Sequence, residues 1–343
     1  MKSSQVTIKD IAKALGISPS TVSRALKDHP DISPKTRKAV KELAERLNYE
    51  PNALALSLRS KQSKTIGVII PQIVHYFFSN VISGIEEIAY ESGYTVIICQ
   101  SNEDYDKEKN IIHTLMSKRV DGILASVSKT TTNYDHFYEL KNSNIPIVFY
   151  DRVLNLPNCD RVIVDDYTGS YKAVEHLIKM GCKRIAHLAT SQELLIGRNR
   201  KNGYLQALRD NQIEIDEEII LRCDTDMHAR KCIPYLLSLQ KKIDGIFAVN
   251  DLTAITAMSI IKSSGYDIPE DIAIVGFSNS LYSSMTDPPL TSIEQKGYEM
   301  GKQAITLLLD RILKDEIIEA RVHQIKTELV VRGSSLREPS KVS

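Results

Sequence analysis

The sequence predicts a chain built from two different parts, an all-α N-terminal domain and a larger α/β body. Helix start signals and apolar stripes recur three times before residue 50, whereas short apolar strands alternate with amphipathic helices from residue 65 onward. Charge divides at the same place: residues 1–64 hold 13 Lys and Arg against 6 Asp and Glu, while the whole chain of 343 residues has 44 against 43. The near-neutral total therefore conceals a basic head on an acidic body.

Composition excludes several other classes of protein. The longest apolar runs, such as 66–71, are far shorter than the roughly 20 residues that span a bilayer. The N-terminus leads into a charged amphipathic stretch with no apolar signal segment, so we expect a cytoplasmic protein. The five cysteines are scattered and form no CxxC pair, which argues against a disulfide framework or a zinc ribbon. We expect neither a metal ion nor a cofactor.

The head is expected to begin with three short helices. Thr7, with Asp10 three residues later, marks the start of the first helix, and Gly16 ends it. Ser18-Pro19 and Ser33-Pro34 each place a capping serine before a proline at the first helical position, which starts the second and third helices. Two helices joined by a tight glycine-containing turn form the helix-turn-helix arrangement, whose second helix enters the major groove of DNA.

The second helix supplies most of the candidate DNA contacts. Arg24 can donate two hydrogen bonds to the O6 and N7 atoms of a guanine, and Pro19 and Ser20 would lie beside it at the base edges. The alternative for Arg24 is a solvated or phosphate-bound side chain. The remaining candidates are small hydroxyl residues, which suit phosphate contacts but are also typical helix caps: Thr7, Ser18, Thr21 and Ser23.

These stretches together resemble the lactose/galactose repressor family. The resemblance lies in the runs 6–12, 16–18, 21–26 and 47–52, and it continues through the body. It implies a helix-turn-helix DNA-binding domain with a hinge helix, followed by a two-lobed α/β effector domain similar to periplasmic binding proteins. It also implies a homodimer that binds a pseudo-palindromic operator in double-stranded DNA.

The hinge is a short helical pattern at 51–60, followed by a polar stretch to residue 64. A helix of this length is unstable alone in water, so it should fold only when something packs against it. In the family, the segment pairs with its twin in the minor groove, where a leucine separates two base pairs. The resemblance places Leu58 at that leucine, and Asn52 and Ala55 at neighbouring contact positions. An ordinary linker helix packed on the body is the alternative.

The body is expected to contain two βαβ series in tandem. The expected strands are 65–71, 94–99, 122–125, 145–150, 184–188, 245–249 and 272–277, and the expected helices are 80–92, 107–117, 170–179, 199–210 and 252–263. Such series form parallel sheets with ligand sites beyond the carboxyl ends of the strands. The sequence has no GxGxxG, GxxxxGK[ST], GxSxG or HExxH motif, so we expect binding rather than catalysis.

The resemblance also implies an effector site between the two lobes, lined by Phe78, Asp151, Arg198, Asn250 and Ser278. Arginine and amide groups suit the hydroxyl or carboxylate groups of a carbohydrate-like ligand. The alternatives are a surface salt bridge for Arg198, a loop cap for Asp151 and a helix cap for Asn250. The chain departs from the family at Ser278, where an acidic residue is common, and it has no Trp. A plain neutral hexose is therefore not implied.

We therefore expect a DNA-binding domain at 1–50, a hinge at 51–64, a body at 65–335 and a polar tail at 336–343. Lobe 1 would comprise 65–162 and 292–324, and lobe 2 would comprise 163–291 and 325–335. The expected function is a dimeric, sequence-specific transcriptional regulator of the repressor type, controlled by a sugar or sugar derivative. A cytoplasmic solute-binding or sensing protein with vestigial DNA binding is an alternative that the basic head disfavours. An enzyme is disfavoured by the missing catalytic motifs.

Overall fold

The computed structural model describes residues 6–49, 62–314 and 319–337. Its contacts divide the chain into two compact units, one up to Lys64 and one from Thr65 onward. The predicted hinge contacts Asn52, Ala55 and Leu58 lie outside the described residues. Each unit has its own hydrophobic core.

Unit 1 is an all-α domain of three helices: α1 (Ile8–Leu15), α2 (Pro19–Leu26) and α3 (Pro34–Arg46). Its core is formed by the inward faces of all three helices and includes Ile11, Val22 and Val40, none of which is exposed to solvent. The apolar residues recur at helical spacing, so each helix buries one face and leaves the other free.

Local signals set the ends of these helices. The backbone N–H and the hydroxyl of Thr7 both donate to the Asp10 carboxylate, at 2.8 and 2.7 Å. Ser18 Oγ accepts a hydrogen bond from the backbone N–H of Thr21 at 3.1 Å, as expected of an N-cap. Gly16 ends α1 in the left-handed conformation with φ of +63°, which costs a residue without Cβ little.

Unit 2 alternates strands and helices. Its strands are β1 (Thr65–Ile70), β2 (Thr95–Gln100), β3 (Gly122–Ala125), β4 (Ile147–Tyr150), β5 (Asp160–Val164), β6 (Ile185–Ala189), β7 (Ile220–Arg222), β8 (Gly245–Ala248), β9 (Ala273–Ser278), β10 (Thr291–Glu294), β11 (Val322–Ile325) and β12 (Glu328–Val330). Its helices are α4 (Tyr76–Glu91), α5 (Tyr105–Ser117), α6 (Asp135–Asn142), α7 (Asp166–Lys179), α8 (Leu195–Asp210), α9 (Asp226–Ser238), α10 (Asp251–Ser263) and α11 (Gly297–Leu313).

The strands form two six-stranded sheets of matching topology. The first has the order β11-β5-β4-β3-β1-β2, and the second has the order β12-β10-β9-β8-β6-β7. All neighbouring strands are parallel except β12, which runs antiparallel to β10. Each sheet is the centre of one lobe, with helices packed on both faces. The predicted fold class is confirmed.

The crossings between the lobes lie up to three residues later in the chain than the expected lobe bounds. Residues 163–164 still belong to β5 and residue 325 to β11, both in the first sheet, while 292–294 pair with β9 and β12 in the second sheet. The reason is that strand pairing continues to the carboxyl end of each strand, and the chain can change lobe only after the last paired residue.

The C-terminal segment also stays attached to lobe 2 beyond the expected end of the body at 335. The guanidinium of Arg337 donates hydrogen bonds to the carbonyl oxygens of Pro269, at 2.8 Å, and Asp244, at 2.6 Å. The expected polar tail therefore begins no earlier than residue 338, and 338–343 lie outside the described residues.

Candidate DNA interface and ligand cleft

The outer face of α2 is the candidate DNA interface. Val22 and Ala25 are buried against the rest of unit 1, whereas Ser18, Pro19, Ser20 and Arg24 are exposed. Within residues 6–49, the Arg24 guanidinium forms neither an ion pair nor a hydrogen bond to another residue. An exposed arginine without a protein partner at this position has all its donors available for a ligand.

The hydroxyl residues of the predicted interface are bonded largely to one another. Ser18 Oγ lies 2.7 Å from Ser20 Oγ and 2.8 Å from Thr21 Oγ1, in addition to capping the helix. Thr21 and Ser23 are partly exposed. Thr7, the exposed residue just before α1, is hydrogen-bonded to Asp10. Capping is thus the role that the geometry shows for Ser18, and the phosphate contacts stay a prediction.

A cleft lies between the two lobes at the carboxyl ends of the strands. It is a small cavity of about 80 Å³. Four of the five predicted effector residues line it: Phe78, Asp151, Asn250 and Ser278. The rest of the wall includes residues that were not predicted. Lobe 1 contributes His75, Lys129 and Arg152, whereas lobe 2 and the crossing that follows it contribute Thr190, Arg200, Asp224 and Gln295.

The arginine that lines the cleft is Arg200, two residues after the predicted Arg198. Arg198 is exposed, donates to the carbonyl oxygens of Gln192 and Glu193 at 3.3 and 2.9 Å, and lines a neighbouring groove instead of the cleft. Residues two apart on a helix project about 200° from each other at about 100° per residue. Only one of Arg198 and Arg200 can therefore face the cleft, and it is Arg200.

Arg200 is held in place by contacts within lobe 2. It is 4% exposed, its Nε donates to Asp166 Oδ1 at 2.7 Å and its Nη1 donates to the Val249 carbonyl at 2.6 Å. Its guanidinium stacks 3.8 Å from the centre of the Phe277 ring. One turn along α8, a Cβ on Gly203 would collide with the backbone carbonyl of Tyr167, so only glycine lets α8 lie this close to α7.

The sequence contained a signal for Arg200. The buried residues of α8 recur at helical spacing and include Gly203, Tyr204 and Ala207. Arg200 lies three and four residues before the first two of these, on the same face of the helix. A helical projection of α8 would thus have placed Arg200, and not Arg198, on the inward face.

Asp151 is a buried carboxyl in the cleft wall. Burial raises its pKa to about 6, against the opposing effect of Arg152 and Arg200 nearby. Its Oδ2 lies 3.9 Å from Arg152 Nε, too far for a hydrogen bond. Its backbone N–H donates to the Val162 carbonyl and its φ is +58°, so the loop conformation directs this carboxyl into the cleft.

An ion pair joins the two lobes across the cleft. Lys129 Nζ of lobe 1 lies 2.9 Å from Asp224 Oδ2 of lobe 2. Asp224 also accepts hydrogen bonds from Thr190 Oγ1 at 2.7 Å and from His228 Nδ1 at 3.2 Å. Burial alone would raise the pKa of Asp224, but Lys129 and these hydrogen bonds outweigh it and lower the pKa to about 2.

Asn250 and Ser278 combine structural bonds with their position in the wall. Asn250 Oδ1 caps α10 by accepting from the Thr253 N–H at 2.9 Å, and its Nδ2 donates to the Asp224 carbonyl at 3.2 Å. Asn250 therefore caps the helix, which was the alternative to a ligand role, and also lines the cleft. Ser278 has φ of +122° and donates from Oγ to Gln295 Oε1 at 2.7 Å. Strained backbone of this kind is common where a side chain must be directed at a ligand.

Two other features of the described residues bear on function. No helix among them combines the length and apolarity that a membrane span needs. Within the same residues, His, Cys, Asp and Glu side chains nowhere converge in threes on a position that could hold a metal ion.

Comparison with known proteins covers both units. Residues 7–52 match the family described as bacterial regulatory proteins, lacI family. Residues 63–332 match the family described as periplasmic binding proteins and sugar binding domain of LacI family. The first match lies within unit 1, and the second spans nearly the whole of unit 2.

Individual relatives extend over both units together. The chain is 35% identical over 333 residues to the HTH-type transcriptional repressor PurR of Aliivibrio fischeri (strain MJ11), covering 96% of this chain and 98% of that protein. Among solved structures, it resembles the lac repressor dimer bound to operator and the anti-inducer ONPF, with a TM-score of 0.85, 27% identity and coverage of 97% and 100%. The complex of the transcriptional regulator CelR with cellobiose gives a TM-score of 0.74 at 27% identity, with coverage of 96% and 100%. The chain belongs to the lacI family of bacterial transcriptional regulators.

Proposed function

We propose that the chain is a dimeric repressor that reads a pseudo-palindromic operator through α2 and whose DNA affinity is set by a small carbohydrate-like effector in the interlobe cleft. It acts by binding, without turnover, in the cytoplasm where its DNA target lies. The exposed Arg24 on the second helix of the helix-turn-helix, free of any protein partner within residues 6–49, is the observation that carries the proposal.

The DNA-reading role rests on geometry and charge. The N-terminal end of a recognition helix meets base edges while its flanks meet phosphates. Arg24 lies on the exposed face of α2, with Pro19 and Ser20 one turn earlier. The basic balance of the head supplies the sequence-independent attraction to DNA, which makes binding steeply salt-dependent.

The test is an in vitro selection of operator sites from random duplexes with the full chain, followed by binding assays. Arg24→Ala should weaken the selected site by about 1–3 kcal/mol relative to random DNA. Lys38→Ala is the matched control, because it removes one exposed positive charge from α3 and should weaken all duplexes about equally. Undiminished discrimination in Arg24→Ala would contradict the proposal.

The dimer is supported by apolar surface that a single copy leaves uncovered. Strand β2 lies at the edge of its sheet, and its Ile97 and Ile98 are 38% and 45% exposed. An uncovered edge strand with apolar side chains is a ready surface for pairing. Sedimentation equilibrium should give twice the chain mass, and Ile98→Glu should shift the equilibrium toward monomer. A monomeric parent chain would overturn the dimer.

The effector class is supported by the lining of the cleft. Asn250, Thr190 and Arg200 line the cleft together with Phe78. This mixture of amide, hydroxyl and guanidinium groups with an apolar ring suits a polyhydroxyl ligand. A thermal-shift screen with sugars, sugar acids and nucleobases tests it. A ligand at one hundred times its Kd should add about 2.7 kcal/mol of stability, and Asn250→Ala should reduce that gain.

A further inference from the structure

A second and larger groove lies beside the cleft. Its volume is about 700 Å³, within the range of about 300–1,000 Å³ that is usual for small-molecule pockets. Lobe 1 contributes Tyr134, Tyr138 and Arg161, and lobe 2 contributes Leu195 and Arg198. The groove and the cleft share two wall residues, Lys129 and Arg152.

The wall of this groove is basic. Four cationic side chains line it, and Glu193 is the one acidic residue in its described lining. Lys129 and Arg152 are neutralised by Asp224 and Glu103. In the described part of the chain, by contrast, neither Arg161 nor Arg198 forms an ion pair, and Arg198 donates only to two backbone carbonyls.

Two guanidinium groups in this wall also have an unused donor. The Nε atoms of Arg152 and Arg161 are buried and have no acceptor among the residues described. Arg152 is only 8% exposed, and Asp151 lies too far from its Nε to accept a hydrogen bond. A buried charged donor without an acceptor is costly. Each of these guanidinium groups thus keeps hydrogen-bonding capacity that no described residue uses.

We propose that this groove is a second small-molecule site, separate from the cleft, that binds an organic anion through a phosphate or carboxylate group. Guanidinium groups form short, charge-assisted and often paired hydrogen bonds with either group. Arg161 belongs to lobe 1 and Arg198 to lobe 2, so one anion bound between them holds the two lobes together. The proposal stands whether or not the cleft binds a carbohydrate.

Calorimetric titration of the full chain with pyrophosphate and with citrate, at constant ionic strength, tests the site. We expect saturable binding of at least one of them, weakened about tenfold or more in Arg161→Gln and in Arg198→Gln. Arg209→Gln is the matched control, because this exposed arginine lies at the far end of the same helix as Arg198. Glucose is the neutral comparison and should not compete.

The titrations distinguish a phosphate ligand from a carboxylate ligand, and the groove from the cleft. Binding of pyrophosphate alone identifies a phosphate ligand, and binding of citrate alone identifies a carboxylate ligand. Absence of saturable binding of both overturns the proposal, as does equal weakening in Arg209→Gln. Loss of anion binding in Asn250→Ala but not in Arg198→Gln also overturns it, because the anion would then lie in the cleft. Arg198→Gln carries the test if Arg161→Gln does not fold, since Arg198 is exposed.

Discussion

The two binding regions of this chain hold their charged side chains in opposite ways. On α2 of unit 1, Arg24 is exposed and has no partner among residues 6–49. In the cleft of unit 2, Arg200, Asp151 and Asp224 are buried. Arg200 is paired with Asp166, and Asp224 is paired with Lys129. On a surface that binds DNA, water can solvate an unpaired cationic side chain while no DNA is bound. In a buried cleft, where water is largely excluded, charged side chains must be paired with one another while no ligand is bound.

The largest effect is expected from breaking a pair in the cleft. Arg200→Ala should lower the free energy of unfolding by about 3–5 kcal/mol, because it leaves Asp166 buried without its counter-charge. Arg24→Ala removes an exposed, unpaired side chain and should change it by less than about 0.5 kcal/mol. Urea unfolding of the full chain, followed by circular dichroism, measures both. Similar losses in the two variants would contradict this difference between the two regions.

A pH-dependent effect of intermediate size is expected at Asp151. Its pKa is 3.8 ordinarily and about 6 in the folded chain, so the folded state favours the protonated form. The stabilisation that protonated Asp151 contributes is fully present below pH 4 and is lost as the pH rises through 6. Asp151→Asn cannot ionise, so its stability relative to the parent should rise by about 3 kcal/mol between pH 4 and pH 7.

Asp224 provides the control, because its pKa is shifted in the direction opposite to that of Asp151. Its pKa of about 2 lies below the ordinary 3.8, so its contribution is present above pH 4 and is lost as the pH falls toward 2. Asp224→Asn should therefore cost about 2 kcal/mol at pH 7. Urea titrations at pH 4 and pH 7 measure the change for Asp151→Asn, and titrations at pH 2 and pH 4 measure it for Asp224→Asn. Relative to the parent, the first variant should gain stability as the pH rises and the second should lose it, so changes of the same sign would show that the environments are not opposed.

The smallest effect is expected in the cap of α2. Ser18→Ala removes the acceptor for the Thr21 N–H and should cost unit 1 about 1 kcal/mol. Ser20→Ala is the matched control, since Ser20 is an exposed serine that does not cap the helix. Hydrogen exchange of α2 amides in the full chain, read by mass spectrometry, reports the loss. Equal protection in the two variants would assign Ser18 to another role.

The same contrast explains what could be predicted from the sequence. The three helices of unit 1 were predictable because their signals are local, from the capping Ser18 and Ser33 to the terminating Gly16. Apolar runs predicted seven of the strands, whereas β5, β7, β10, β11 and β12 and the helices α6 and α11 were not expected. Helix α9 was not expected, because Pro234 lies inside it, where proline removes a backbone hydrogen bond.

The cleft depended on information that is not local. Asp151 follows strand β4 directly and Ser278 is the last residue of β9, so the carboxyl ends of parallel strands place both at the cleft. Lys129 and Asp224 meet only after the two lobes have folded, and no local pattern marks their pairing. The choice between Arg198 and Arg200 depended on which face of α8 packs inward, which the spacing of Gly203 and Tyr204 indicates.

The narrow cleft has a consequence for how fast an effector can enter or leave. A cavity of about 80 Å³ is several times smaller than the usual range of about 300–1,000 Å³ for ligand pockets. We therefore expect the lobes to separate, and the contact between Lys129 and Asp224 to break, when an effector of ordinary size enters. The association rate is then set by the frequency of opening, and the apparent affinity is reduced by the open fraction. The same gate governs escape, so a ligand enclosed between the lobes dissociates slowly.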